Sequence, residues 1–560
     1  MKVFQYIVFF QIFSLVCSWT PIGSIYNLKS VSRVRIADKD HVVWKSKETG
    51  KFTVQDDICF RQSTRTYSFS GANEKNSARK ESQNIKTDDL PEFGKDRPMK
   101  ILIAGGGIGG LVLANALRAK EMDFTIFEKT KQYSPFGGPI QIQSNALAAI
   151  EAIDKDMCHE IMAAGTITGN RVNGLKDGKT GKWYCQFDTG APARKQGLPL
   201  TRVVDRPDLQ QILLKYLKTN HAFASVIVEN SPDLQEELSK NGKTQQLRYG
   251  TEVLSYQQDK DGVEVTLADG SVHKGDVLIG ADGIWSRVRG QMQNEKHDKT
   301  GAVYSGYTCF TGVCEFRPRD VNEVAYKVYL SEGAYFVCSD VGKGRMQWYA
   351  MLGQPCGQQT PTLQRKDVLI KKYSGWDKEI IELLKITTEE NITQRDLYDR
   401  PPQVLKGWVE NRVVILGDAA HPMMPNLGQG GCQAIEDAYR VAQELGKCKT
   451  KLDIPFALKS YSTVRVGRTA SVHGLARIAS DVLFYSGLLF KNEWIGNFVS
   501  FFMNLSMPFI LEFLYQNVLD AKDLSMTMKR LKDKQLYDND DSMYASVVEA
   551  QDALFLKEME

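Results

Sequence analysis

The chain has ten cysteines, but they show no recognisable pairing pattern. No Cys-x-x-Cys motif occurs, and the two cysteines nearest each other, Cys309 and Cys314, are separated by four residues. A disulfide framework or a zinc site needs more regular spacing than this sequence has. We therefore expect reduced thiols and predict no metal site.

An excess of one charge sign is also lacking. The 560 residues include 71 Lys and Arg against 67 Asp and Glu, a net charge of +4. No stretch interleaves basic and aromatic residues, so nucleic acid is not an expected partner. The sequence has no internal repeat, which excludes solenoid and propeller folds.

Long uninterrupted apolar runs are scarce. One follows Lys2, ends at the small residues Cys17 and Ser18, and is too short to cross a membrane comfortably. It predicts a signal peptide over residues 1–18, and a buried N-terminal strand or helix is the alternative. A second apolar segment, Val482–Leu519, contains Lys491, Asn504, Pro508 and Glu512, so we predict that it is not an ordinary transmembrane helix.

One glycine-rich turn lies between two apolar runs near residue 100. Ile101–Ala104 reads as a buried strand, Gly105-x-Gly107-x-x-Gly110 follows, and after a helix a second strand ends at Glu128. Gly105 permits a tight turn, Gly107 lets a pyrophosphate approach the backbone, and Gly110 allows close packing of helix on strand. Glu128 can accept hydrogen bonds from ribose hydroxyls. The stretch predicts a dinucleotide site, and an ordinary glycine-rich turn is the alternative.

No second glycine fingerprint occurs, but two later strands end in acid–glycine loops. The first of these strands is followed by Asp282-Gly283 and the second by Gly417-Asp418. The cluster Gly428–Gly431 then opens a helix. In a doubly wound sheet, strands distant in sequence can lie side by side with their carboxyl ends at one crevice. One dinucleotide held by three strand ends would explain all three loops. Taken separately, each loop could be a common turn or a helix cap.

The region 302–351 contains short strands of alternating polarity, which predict an antiparallel sheet with an apolar, aromatic face. Its aromatic residues are candidates for a substrate tunnel and equally for plain core: Tyr307, Phe310, Tyr335, Phe336, Trp348 and Tyr349.

The sequence also predicts other elements of secondary structure. A hairpin is predicted at 171–184. Helices are predicted at 146–153 (capped by Ser144 and Asn145), 208–217, 364–385 with a break at 375–377, 432–445, and from 453 onward.

Three strings of the sequence resemble the signatures of FAD-dependent single-component (class A) monooxygenases. They are Gly105–Gly110 with Glu128, Asp282-Gly283-x-x-Ser286-x-x-Arg289, and Gly417–Pro422. Longer strings resemble the plastid zeaxanthin epoxidase family, over about Met99–Arg468: GPIQIQSNALAAIEAID, TGNRVNGLKDG, GLPLTRVVDRPDLQQIL, SGYTCFTGV and PNLGQGGCQAIEDA. The resemblance implies an α/β fold, with a Rossmann-like FAD-binding domain, an inserted antiparallel-sheet substrate domain and C-terminal helices.

The resemblance also implies a set of residues that bind FAD. Gly105, Gly107, Gly110 and Glu128 would hold its ADP half, and Asp282 and Gly283 would approach the pyrophosphate. Asp418 would hold the ribityl chain, and Gln143 and Arg206 would flank the flavin. The remaining expected cofactor-binding residues are Arg289 of the second signature and, in the loop that cradles the ring, Pro425, Gly428, Gln429, Gly430 and Gly431. No catalytic side chain is named, because the flavin carries the chemistry.

The implied reaction is epoxidation of the ring double bonds of zeaxanthin to antheraxanthin and violaxanthin, or of related algal xanthophylls. It would proceed through a flavin hydroperoxide, with O2 as co-substrate and NADPH or reduced ferredoxin as electron donor, the latter with a possible reductase partner. The expected setting is the stromal side of the thylakoid membrane, with peripheral membrane association. The alternatives are hydroxylation of a soluble aromatic acid, and a non-catalytic FAD- or carotenoid-binding protein.

The expected organisation of the chain follows from these points. The segment after the signal peptide resembles the second part of the plastid presequences of algae with secondary plastids. Plant members carry a C-terminal forkhead-associated domain, for which the tail here looks too short and helical, so phosphopeptide binding is not inferred. The expected regions are a signal peptide (1–18), transit segment and linker (19–98), monooxygenase (99–470, with FAD-binding parts at about 99–210, 262–290 and 410–446 and a substrate sheet at about 300–352), apolar helices (471–521) and a polar tail (522–560).

Overall fold

The computed structural model describes strands at 31–38, 41–46 and 52–54, and residues 92–94, 97–133, 138–218, 227–228, 246–295, 301–402, 407–490, 493–515 and 519. The predicted signal peptide and polar tail lie outside these residues. Contacts divide the chain into two units, Met1–Ile85 and Lys86–Glu560.

The first unit contains a small antiparallel sheet. Its strands are β1 (Val31–Asp38), β2 (His41–Ser46) and β3 (Phe52–Val54), paired in that order. The sequence predicts a transit segment and linker here, and this assignment stays a prediction. The strands lack the strict alternation that signals a half-buried strand, but they are rich in β-branched residues, which favour extended backbone.

The second unit begins with the strand, helix and strand predicted around the glycine turn. Its elements up to residue 218 are, in chain order, β4 (Lys100–Ala104), α1 (Ile108–Arg118), β5 (Asp123–Glu128), β6 (Ile140–Ile142), α2 (Ser144–Ile153), α3 (Lys155–Ala164), β7 (Thr166–Ile167), β8 (Val172–Asp177), β9 (Trp183–Asp188), α4 (Gly190–Gln196), β10 (Arg202–Val204) and α5 (Arg206–Lys218). The predicted hairpin is therefore confirmed as the β8–β9 pair.

The middle of the chain holds the second acid–glycine loop and most of the antiparallel sheet. Its elements are β11 (Ile227–Val228), β12 (Gln246–Tyr249), β13 (Val253–Gln258), β14 (Val263–Leu267), β15 (Val272–Gly275), β16 (Val277–Gly280), α6 (Arg287–Met292), β17 (Val303–Glu315), β18 (Val324–Ser331), β19 (Ala334–Asp340), β20 (Arg345–Gly353), α7 (Arg365–Lys372), α8 (Lys378–Ile386) and β21 (Thr393–Asp399). The predicted helix break at 375–377 separates α7 from α8.

The last part adds two strands to the sheet that contains β4 and β5, and then becomes helical, as predicted. Its elements are β22 (Val409–Glu410), β23 (Val413–Ile415), α9 (Gly430–Leu445), α10 (Ile454–Leu489) and α11 (Glu493–Tyr515).

Seven strands form the sheet that carries the dinucleotide fingerprint, in the order β11-β12-β5-β4-β16-β23-β22. All neighbours are parallel except β22 and β23. The central strands are apolar throughout because helices cover both faces of a parallel sheet; Ile101, Ile103 and Leu278 are at most 1% exposed. The prediction that strands distant in sequence meet in one doubly wound sheet is confirmed.

A second seven-stranded sheet, which we call the substrate sheet, has the order β21-β17-β20-β19-β18-β8-β9. It is antiparallel apart from the β18–β8 pair. Because side chains alternate along a strand, its six candidate aromatic residues separate onto two faces. Phe310, Phe336 and Trp348 pack with α7 and α8 in one apolar cluster. Tyr307, Tyr335 and Tyr349 belong to another cluster on the opposite face.

The C-terminal apolar segment forms the end of α10 and the continuous helix α11, in which Asn504, Pro508 and Glu512 lie. The window Gly496–Tyr515 is long and apolar enough to cross a membrane by length and composition alone, so our prediction that the segment is not an ordinary transmembrane helix stays a prediction. Pro508 is accommodated inside the helix. Only 17% of this helical window is buried in the protein.

Burial of α8 against the substrate sheet can be tested with two identical substitutions. Leu383 of α8 is fully buried, so Leu383→Ala should lower the free energy of unfolding by about 2–5 kcal/mol. Leu363 is 75% exposed, so Leu363→Ala should change it by less than about 0.5 kcal/mol. Urea denaturation followed by tryptophan fluorescence measures both. Equal effects would mean that the packing of α8 is wrong.

Candidate functional site

The loops picked out from the sequence lie at one edge of the parallel sheet. Strands β5, β4, β16 and β23 are consecutive neighbours, so Glu128, Gly105, Asp282 and Asp418 follow adjacent strand ends. Ladder hydrogen bonds continue into the loops: the Ala281 amide donates to the Ala104 carbonyl at 2.7 Å. This edge is where parallel α/β sheets bind their ligands.

The three glycines of the turn face different surroundings. Gly105 has a φ of +104°, and a Cβ there would collide with the Ala281 carbonyl. A Cβ on Gly110 would collide with the Gly105 carbonyl. A Cβ on Gly107 would meet no atom within 4 Å. Two glycines therefore serve close packing, and the third faces open space at the start of α1.

The N-terminus of α1 has the properties of an anion site. Its N-cap is Gly107, and no side chain caps its amides. By contrast, Asp154 and Ser286 cap α3 and α6. Helix α9 likewise begins without a side-chain cap, after Gln429. Uncapped amides and the positive dipole end suit phosphate oxygens or developing negative charge.

Glu128 is held firmly at the end of β5. One carboxylate oxygen accepts from the Gly106 amide at 2.7 Å, and the other accepts from the amide and hydroxyl of Thr130 at 2.8 and 2.9 Å. Tyr133 donates to the Gly106 carbonyl at 2.5 Å. The oxygen that accepts from Gly106 makes this one bond, so it has a further lone pair available for a ligand hydroxyl.

The loop after β16 combines an open backbone with a helix cap. Gly283 has a φ of +80° and faces open space. Asp282 accepts from the amides of Arg287 and Val288 at 2.8 and 3.3 Å, which fixes the loop on α6. Burial raises the pKa of the Asp282 carboxyl.

Arg289 joins two of the loops. Its guanidinium is 2% exposed and donates to the Ile284 carbonyl at 2.7 Å and to the Ala419 carbonyl at 2.8 Å. Burial, with the neighbouring Arg400, lowers its pKa to about 10. Its contacts place Arg289 as a brace between loops; direct contact with a cofactor stays a prediction.

The loop after β23 is held by a carboxylate that we did not predict from the sequence. Asp437 of α9 accepts from the Gly417 amide at 2.9 Å, from His421 at 2.5 Å and from Arg465 at 2.7 Å. Its neighbour Glu436 pairs with Arg465 and with Arg468. An adjacent Glu-Asp pair within a helix, beside apolar residues, is a local signal of such a network, whereas its Arg partners carry no local signal.

Asp418 lies in the loop after β23, at the same edge of the sheet. Its side chain is exposed to solvent, yet protein atoms crowd it, and this desolvation raises its pKa. His421, Arg206 and Arg289 are near enough to oppose that shift. Arg206 is also near enough to Tyr349 of the substrate sheet to oppose the rise of its pKa by burial.

Gln143 and Gln429 brace the glycine loop that precedes α9. Gln143 donates to the Leu427 carbonyl at 2.6 Å, and Gln429 donates to Gln143 at 2.5 Å. A Cβ on Gly428, whose φ is +62°, would approach the Gln143 amide nitrogen to 2.9 Å. Gly430 and Gly431 form the first turn of α9, and Pro425 begins the short 3-10 turn before Gly428.

The predicted cap of α2 by Ser144 and Asn145 is wrong. Both residues lie inside the helix and are at most 1% exposed. The Asn145 amide is used instead to donate to Glu436 at 2.6 Å and to Gln429 at 3.1 Å. Tertiary partners have overridden the capping preference of these residue types.

Asn426, which the sequence analysis missed, connects this loop to the substrate sheet. It accepts from the Tyr335 hydroxyl at 2.8 Å, and its amide donates to Tyr307 at 3.2 Å and to Ser480 of α10. Tyr307 in turn donates to Ser480 at 3.0 Å. The polar ends of two substrate-sheet tyrosines therefore fix the position of the loop.

These loops define an FAD-binding protein of the class A monooxygenase fold. The profile of the family described as "FAD binding domain" matches residues 98–473, about two thirds of the chain, so the chain belongs to that family. FAD is accordingly its cofactor. The expected α/β fold is confirmed.

Two sets of known proteins are similar to this chain. A chloroplastic zeaxanthin epoxidase of Nicotiana plumbaginifolia is 44% identical over 69% of this chain and 55% of its own length, and that of Arabidopsis thaliana is 42% identical over 67% and 53%. The chain thus spans about half the length of these relatives. Klebsiella pneumoniae HpxO, solved with FAD and uric acid, covers 75% of this chain and 96% of its own at 23% identity (TM-score 0.61). A salicylate hydroxylase substrate complex covers 75% and 98% at 22% identity (TM-score 0.58).

The residues present fit FAD. Gly107 leaves room at an uncapped helix start for a pyrophosphate, and Glu128 stands at the neighbouring strand end for a ribose. Asp418 follows β23 at the same edge of the sheet, and α9 begins without a side-chain cap after the next loop. Which of these residues touch the cofactor stays a prediction.

The open space at Gly107 gives a direct test. Because its φ of −68° suits any residue and a Cβ meets nothing, Gly107→Ala should leave the stability of the cofactor-free protein unchanged. The added methyl would overlap the phosphates, and we expect FAD binding to weaken by about 1–3 kcal/mol, roughly 10–100-fold. Fluorescence titration of FAD into stripped protein measures this.

Gly474→Ala is the matched control, because Gly474 also faces open space but lies inside the helix α10 and not at a helix start. It should bind FAD like the wild type. Unchanged FAD affinity in Gly107→Ala would exclude the phosphate position.

The buried Asp437 predicts a stability effect that depends on pH. Asp437→Asn leaves Arg465 short of a charge partner and should lower the free energy of unfolding by about 3–5 kcal/mol at neutral pH. Despite burial, His421 and Arg465 lower the pKa of Asp437 from 3.8 to about 2. Its contribution is therefore complete above pH 3.8 and decreases as the pH falls toward 2.

The control is Asp208→Asn, which removes an exposed partner of Lys343 and should cost at most about 1 kcal/mol. Urea denaturation at several pH values measures both variants. A difference between Asp437→Asn and the wild type that stays constant down to pH 2 would contradict the assignment.

Proposed function

We propose that the protein is an FAD-dependent monooxygenase that epoxidises the ring double bonds of zeaxanthin, forming antheraxanthin and violaxanthin, or acts on related xanthophylls. Identity of 42–44% to chloroplastic zeaxanthin epoxidases supports this, although the chain spans only about half of their length. The observation that carries the proposal is the apolar face of the substrate sheet beside the glycine loop that precedes α9.

That face suits an apolar polyene. Its buried members include Leu175, Val328, Leu330 and Val337, and Met424 reaches it from the loop between β23 and α9. Tyr335 links it to that same loop through Asn426. A hydrocarbon substrate on this face would therefore lie next to the segment expected to cradle the flavin ring.

The protonation state of the tyrosines on this face also suits an alkene substrate. When bound, FAD supplies the activation of O2, and an alkene needs no base to react with an electrophilic oxygen. Burial raises the pKa of Tyr307 and of Tyr335, so both remain neutral at physiological pH. An uncharged, apolar surface excludes water, and this limits the loss of activated oxygen by reaction with water.

The residues of the sheet edge have assigned roles in this proposal. Gly105, Gly107, Gly110 and Glu128 hold the ADP half of FAD, Gly283 admits the pyrophosphate, and Asp418 binds the ribityl chain. Asp282 approaches the pyrophosphate with Gly283, and Arg289 braces their loop against the loop after β23. The remaining residues position the flavin loop or flank the ring: Gln143, Arg206, Pro425, Gly428, Gln429, Gly430 and Gly431.

We place the protein in the plastid, on the stromal side of the thylakoid membrane, in peripheral association with it. The chloroplastic names of the relatives support the organelle. NADPH, or ferredoxin with its reductase, would supply the electrons.

Epoxidation can be tested directly. The protein is supplied with FAD, O2, zeaxanthin in vesicles, and either NADPH or reduced ferredoxin, and products are separated by chromatography. We expect mono- and di-epoxide, and loss of both with Gly107→Ala at limiting FAD.

Two outcomes would replace the proposal. Arg206 near Tyr349 could anchor an acid, so flavin reduction stimulated only by a soluble aromatic acid would favour a hydroxylase. Bound FAD and carotenoid without turnover under either reductant would indicate a non-catalytic binding protein.

A further inference from the structure

Helix α11 has an unusual combination of composition and exposure. Between Glu493 and Glu512 it contains no charged residue, yet only 17% of the window Gly496–Tyr515 is buried. A core helix of such composition would be mostly covered by protein. One side of α11 therefore presents apolar surface that the described part of the chain does not cover.

The exposed side chains form one stripe. They are 44–77% exposed and recur at intervals of three or four residues, which places them on a single helical face: Trp494, Phe498, Phe501, Leu505 and Phe509. Four of the five are aromatic. Large contiguous apolar surfaces of this kind mark sites of interaction with a partner or a membrane.

The other side of α11 is tied to the body of the unit along the helix. Asn504 accepts from the Gln186 amide of β9 at 3.3 Å, and Glu512 pairs with Lys195 of α4 at 3.1 Å. At the end of the helix, Arg468 of α10 donates to the Leu514 carbonyl at 2.9 Å. A helix attached in this way cannot stand across a bilayer without drawing β9 and α4 into the hydrocarbon.

The attached side also contacts the substrate sheet. Met503 and Met507 pack into the same apolar cluster as Tyr307, Tyr335 and Tyr349. Phe490, between α10 and α11, stacks on Tyr184 of β9 with ring centroids 3.8 Å apart. The helix thus separates the exposed stripe from the face proposed to receive the substrate.

We propose that α11 lies in the plane of the membrane with this stripe in the lipid, and that the apolar substrate passes from the bilayer to the substrate sheet beside α11. The second part rests on the proposed function, because it presumes a lipid-dissolved substrate. A stripe with aromatic residues and no cation should bind neutral lipid, and its binding should depend little on salt.

The experiment uses the full chain with FAD and phosphatidylcholine vesicles, and flotation measures binding at low and high salt. The test variant is Phe501→Ser/Leu505→Ser/Phe509→Ser. Losing three partly inserted apolar side chains should weaken vesicle binding by roughly 100-fold. The control, Leu363→Ser/Phe456→Ser, alters two side chains at least 75% exposed outside α11 and should bind like the wild type. FAD content reports folding of every variant.

Activity separates the two parts of the proposal. Zeaxanthin is delivered in vesicles or in detergent micelles; the triple variant should epoxidise only the micellar substrate at the wild-type rate. If the triple variant binds vesicles as well as the wild type does, the stripe on α11 is not the membrane-binding surface. Lost binding with unchanged turnover of vesicle substrate would overturn the route beside α11. Wild-type protein that binds vesicles but forms no epoxide in either medium would overturn the proposed function and the route, while leaving the surface supported.

Discussion

The carboxylate of Asp437 connects the parts of the molecule that must keep a fixed geometry. It binds the amide of the loop after β23, the imidazole of His421 and the guanidinium of Arg465. It thereby joins the parallel sheet, α9 and α10 through charge-assisted hydrogen bonds with almost no exposure to water. Because a buried charge is stable only with its partners in place, the network tolerates one arrangement of these elements. The loop that carries Asp418 is therefore held in one position as well.

The glycine turn and the strand ends could be predicted because their signals are local. A buried apolar run followed by glycines at fixed intervals restricts the backbone to few conformations, and the sheet topology then brings Gly105 and Asp418 to one edge. The polar residues that brace the loops could not be predicted in the same way. Asn426 reaches Tyr335 across 91 residues, and nothing in the neighbouring sequence of either indicates the other.

Tertiary contacts outweigh local preferences at two positions. Asn145 was expected to cap α2 because short polar residues favour that position, but buried partners on α9 use its amide inside the helix. Pro508 lies inside α11, where a proline removes one helical hydrogen bond, and contacts on both sides of it hold the helix. In both cases the local preference is about 1–3 kcal/mol.

The two faces of the substrate sheet would have separate roles in the proposed function. Because side chains alternate, Phe336 packs under α7 and α8 while its neighbour Tyr335 faces the loop before α9. Residues on the second face can therefore change without disturbing the core on the first. The FAD site has no such freedom, since Gly105 and Gly110 are fixed by direct backbone packing. Substrate choice should accordingly reside in the tyrosine-bearing face and in the helices that cover it, and cofactor choice in the strand ends.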